Sequence, residues 1–88
     1  MHEMSVALEV CRMAEERLGP SAGELLAVGI EVGDDAGVEP GNLAFWLETL
    51  LQEPPFGRAR PVIARSPGSD LRLTYLEVDD ERPDDRRP

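Results

Sequence analysis

Leu25-Leu26-Ala27-Val28-Gly29-Ile30-Glu31-Val32 is the segment from which the architecture is read. Leu26, Val28, Ile30 and Val32 alternate with Ala27, Gly29 and Glu31, and that alternation marks a half-buried β-strand. Gly33-Asp34-Asp35-Ala36-Gly37 breaks it. Beyond the break Pro40 stands at a natural first helical position. Leu43, Trp46, Leu47, Leu50 and Leu51 then fall on one face, until Pro54-Pro55 ends the run. This second helix is the best core former in the chain. Phe45 and Trp46 are assigned to the core, since an aromatic on an apolar helical stripe is usually packed there.

Upstream, Met4, Ala7, Leu8, Cys11, Ala14 and Leu18 recur at helical spacing, with Ser5, Glu9, Arg12 and Glu16 opposite. The pattern predicts an amphipathic helix from Glu3 to Leu18 with a polar outer face, stopped by Gly19-Pro20. Downstream, Arg58 to Arg65 and Leu71 to Val78 flank the turn-rich Ser66-Pro67-Gly68-Ser69-Asp70, the pattern of a β-hairpin. Pro61 cannot donate to a central ladder, so its strand belongs at an edge. In the last strand Leu71 and Leu73 have one parity and Leu76 and Val78 the other, which predicts a bulge near Thr74-Tyr75. The expectation is an α+β fold, a two-layer domain with both helices on one face of a three-stranded mixed sheet. The last strand is expected in the middle, antiparallel to both neighbours, with a right-handed crossover through the second helix.

Residues 1–78 are expected to form this one domain. Residues 79–88, a mixture of acids, arginines and prolines with no core-forming side chain, are expected to be a disordered acidic tail. The chain has 88 residues and a net charge of -9, with 18 acids against nine arginines. That balance speaks against nucleic acid or an anionic membrane surface as partner. No apolar run approaches the roughly 20 residues needed to span a bilayer. The start lacks the features of a secretory signal and Cys11 is the only cysteine, so a cytoplasmic protein without disulfides is expected.

The opening Met1-His2-Glu3-Met4-Ser5 carries chemistry. The α-amine of Met1, the amide nitrogen and imidazole of His2 and the amide of Glu3 can close chelate rings around one ion. Four nitrogens in a plane suit Ni(II) or Cu(II) better than zinc, magnesium or calcium. Met1 is expected to be retained because His2 is bulky. Amine and imidazole both titrate near neutrality, so freeing them for a metal costs little. An enzyme is not expected: His2 is the sole histidine, no glycine-rich phosphate loop is present, and Cys11 lacks a base.

With these residues in place the chain resembles the HypA/HybF hydrogenase nickel-incorporation proteins. The resemblance rests on Met1-His2-Glu3-Met4-Ser5, on Val28-Gly29-Ile30-Glu31-Val32-Gly33 with Val38-Glu39-Pro40 and Leu43-Ala44-Phe45, and on Leu71-Arg72-Leu73 with Leu76-Glu77-Val78. It implies a nickel site at Met1, His2 and Glu3, and a further role near the metal for Glu39, the alternative being that Glu39 only starts the helix at Pro40. Family members normally carry two Cys-x-x-Cys pairs that bind structural zinc between the two late strands. Here that position holds only Ser66 to Asp70, and no cysteine pair exists to bind zinc.

The resemblance thus implies a nickel metallochaperone that holds Ni(II) transiently during maturation of nickel–iron hydrogenase. Its expected partners are a HypB-type nickel GTPase and the hydrogenase large-subunit precursor. The alternative is an adaptor of the same machinery that keeps the docking surface and carries no nickel.

Overall fold

The structure, a computed structural model, describes residues 2–79. Met1 of the expected nickel site and all but the first residue of the expected tail lie outside them. In chain order the elements are helix α1 (Glu3–Leu18), a 3-10 segment (Gly19–Glu24), strand β1 (Leu25–Gly33), helix α2 (Pro40–Leu50), strand β2 (Arg60–Ser66) and strand β3 (Leu71–Val78). The α+β class and the element order are those expected.

The strand order is not as expected. It is β2-β1-β3, with β1 in the middle, parallel to β2 and antiparallel to β3. No β2–β3 hairpin forms, and the last strand lies at an edge. Two physical facts favour this arrangement. β1 is the most apolar strand and loses least by having both edges paired, whereas Pro61 keeps β2 at an edge. The loop after β2 is also long enough to step across the end of β1 to its far side. It is held there by Gly33 N–H donating to Asp70 O (2.6 Å), Asp34 N–H to Ser66 O (2.8 Å) and Asp35 N–H to Gly68 O (2.7 Å). Gly33 is required at this crossing, because a Cβ there would lie 2.5 Å from Gly68 O and 2.8 Å from Asp70 O.

The expected bulge is present. Leu73 pairs with Ile30 and Tyr75 with Gly29, so Thr74 is the extra residue. A second irregularity, at Leu26 in β1, turns Leu25 rather than Leu26 fully into the core. Leu25, Val28, Ile30 and Val32 pack with Leu43, Leu47 and Leu51 of the α2 region, all nearly or fully inaccessible to solvent.

Helix α1 buries the alanines of its expected apolar stripe but not Met4 and Leu8. It buries Val6, Ala7, Val10 and Ala14, while Met4 and Leu8 are 44% and 50% exposed. The helix carries two overlapping apolar stripes. The two alanines let α2 approach closely, and that tight contact outweighs burying the longer Met and Leu side chains. Phe45 is likewise not core: it is 59% exposed and meets Trp46 edge-on at 5.5 Å. Asp79, placed in the expected tail, is tied to the domain by its N–H to Glu24 O (2.8 Å) and by its carboxylate, which accepts from Arg58 at 3.2 Å. No helix among the described residues is long and apolar enough to cross a membrane.

Candidate metal centre

The first turn of α1 sets the geometry of the amino-terminal end. His2 is the N-cap residue, extended at φ -85 and ψ 130, and its carbonyl accepts the first helical bond from Val6 N–H at 3.2 Å. Its imidazole makes no capping bond and the residue is exposed. Glu3 is the first helical residue, so its amide is one of the four that have no carbonyl partner one turn back. Deprotonating that amide on a metal would break no intrahelical hydrogen bond.

The Glu3 carboxylate reaches across to the start of α2, where Oε2 accepts from Glu39 N–H at 2.8 Å. This bond is the main reason its carboxyl is held below the ordinary carboxylate range, with the nearby Glu3 amide next. Glu39 in turn is the N-cap of α2. Its Oε1 accepts from Asn42 N–H at 2.7 Å and its Oε2 from Gly41 N–H at 3.1 Å, just ahead of Pro40 at the first turn. The two helix starts are thereby linked in series: Glu3 holds Glu39, and Glu39 holds α2. Glu39 and Glu3 are brought together, with the side chain of Glu39 committed to the cap.

His2, Glu3, Met4, Ser5 and Trp46 line a shallow cleft of about 410 Å³ at this end. Trp46, read from sequence as core, packs against the core but is only half-buried, and its remaining surface forms the aromatic wall of the cleft. The Glu3–Glu39 tie was not foreseen either. Its visible signal is the acid–proline pair Glu39-Pro40, which marks a helix start, but no local pattern identifies a carboxylate 36 residues away as its partner.

Among the described residues no three His, Cys, Asp or Glu side chains converge to hold a metal ion. Beside the exposed His2 imidazole stand the backbone amides of His2 and Glu3, nitrogen donors of the kind that Ni(II) and Cu(II) accept. Cys11 stands apart: burial, then the charge of Glu15, pushes its thiol up to about 11, so it is a protonated packing residue at neutral pH.

No family model matches the chain, and no solved structure matches it. Over 68 residues, 77% of the chain, it is 38% identical to the hydrogenase maturation factor HypA of Geobacter metallireducens. The chain spans 60% of that protein's length. Identity at this level, over a segment that takes in most of the described fold, makes the chain a homologue of the hydrogenase maturation factor HypA.

Proposed function

We propose that the protein is a non-catalytic accessory factor that carries Ni(II) for assembly of the nickel–iron hydrogenase centre. In this reading the ion is cargo, held by the α-amine of Met1, the amide and imidazole of His2 and the amide of Glu3. The observation that carries the reading is the exposed His2 imidazole at the N-cap of a packed helix, followed by a Glu3 amide that serves no helical bond. The Glu3–Glu39 bond pre-orders this end and lowers the entropy lost on binding. Glu39 acts through that support and not as a ligand. With Cys11 as its one cysteine, the chain works without a zinc module at Ser66 to Asp70. Its partners are a HypB-type nickel GTPase and the hydrogenase large-subunit precursor.

The test is a calorimetric nickel titration of the untagged protein beside His2→Ala. Tight binding that the substitution abolishes is expected. Equal binding by both proteins would remove the terminal site. A second reading, an adaptor that does not carry nickel, draws on the apolar surface next to the cleft, where Met4 lies by Trp46 and Trp46 by the exposed Phe45. That reading predicts partner binding unaffected by His2→Ala and lost on Phe45→Ser.

A further inference from the structure

The two outer edges of the sheet differ. β2 carries Pro61, which has no N–H to give, between Arg60 and the later Arg65, and α2 packs beside it. The outer edge of β3 has no proline and no strand partner among the described residues. Beside it runs an apolar groove of about 370 Å³ between α1 and β3, walled by Val6, Val10, Met13, Leu71 and Leu73.

β3 itself reads alike from either end. In Leu71-Arg72-Leu73-Thr74-Tyr75-Leu76-Glu77-Val78 the order is apolar, cation, apolar, two polar tips, apolar, anion, apolar. An antiparallel copy centred between Thr74 and Tyr75 sets Leu71 against Val78, Arg72 against Glu77 and Leu73 against Leu76. In a regular strand that register would put opposed side chains on opposite faces, because faces alternate residue by residue. The bulge at Thr74 reverses the parity. Leu71, Leu73, Leu76 and Val78 all turn toward the core face, and Arg72, Thr74, Tyr75 and Glu77 all turn to the open face. Among registers that pair more than three residues the faces therefore match in this one alone, and a slip of one residue sets leucine against charge.

We propose that β3 is a homotypic docking edge, which pairs with β3 of a second copy about a twofold axis at Thr74-Tyr75 to give one continuous sheet. Two short ladders, Leu71–Leu73 on Leu76–Val78 and its symmetry mate, flank the axis. The second copy's Leu76 and Val78 lie beside Leu73 and Leu71 and close the open side of the groove. Arg72 already donates to Glu31, and its five N–H groups suffice for the second copy's Glu77 as well. The charge of -9 on each copy opposes approach, so added salt tightens the pair.

Sedimentation of the full chain from roughly 10 µM to 1 mM should show a reversible dimer. Arg72→Glu and Glu77→Arg each place like charges opposite twice per dimer, and each should weaken association about tenfold or more. An equimolar mixture of the two should recover it, because every mismatch in the heterodimer is corrected. Recovery also shows that both variants fold. Isotope-filtered contacts between Leu73 and Leu76 methyls in a mixed-label wild-type sample supply a readout that needs no variant. A wild-type monomer throughout, a mixture that stays monomeric, or a dimer without those methyl contacts would overturn the proposal.

Discussion

Replacing Glu39 separates its two possible duties, because the cap and a metal ligand respond differently to the same substitutions. Glu39→Ala removes the acceptors for Gly41 and Asn42 N–H but keeps the backbone N–H that donates to Glu3. Losing an N-cap costs about 1 kcal/mol, and a domain of this size loses about 4–8 °C of melting temperature per kcal/mol. Total stability for 88 residues is roughly 4–13 kcal/mol, so the protein remains folded and the change is easily read. Glu39→Asn restores a strong cap without a negative charge and should return most of the lost stability. Urea unfolding gives the stability difference, and calorimetry on the same samples gives nickel affinity, expected within about threefold of wild type for both. A Glu39→Asn protein of near-native stability that binds nickel more than about tenfold weaker would make Glu39 a ligand. A Glu39→Ala protein with unchanged stability would refute the cap.

Adding one or two residues before Met1 converts its basic amine to an amide and should damage nickel binding as badly as His2→Ala, with helicity unchanged by circular dichroism. Unimpaired binding would mean that the terminal amine is not a ligand. Leu47→Ala, at a fully buried position between α2 and the sheet, should cost about 2–5 kcal/mol in chemical denaturation; a loss under about 1 kcal/mol would mean the α2 contact is misplaced. Glu31 is held below its ordinary value of 4.5, first by the hydrogen bond from Arg72. Its contribution is therefore present above pH 4.5 and lost as pH falls through the depressed value. Glu31→Gln should flatten the acid limb of the stability curve there and leave the neutral region unaltered in shape; an acid limb as steep as wild type would contradict the pair.

The elements of this protein were legible in its sequence because each carries its own local signal. The alternation in Leu25 to Val32, the Pro40 start and Pro54-Pro55 stop, and the parity switch between Leu73 and Leu76 are properties of neighbouring residues. The donor set proposed at His2 and Glu3 is local in the same way: it is built from adjacent atoms of the chain. Three features were decided only by tertiary structure. Strand order depended on which edge the Ser66 to Asp70 loop reaches, and a short loop looks alike whether it closes a hairpin or crosses one strand. Which larger side chains of α1 join Ala7 and Ala14 in the core depended on how α2 approaches, because Val6 and Val10 flank the alanines on one side and Met4 and Leu8 on the other. The tie from Glu3 to Glu39 joins residues 36 apart, and only the packed fold brings a carboxylate at the start of one helix to the cap of the other.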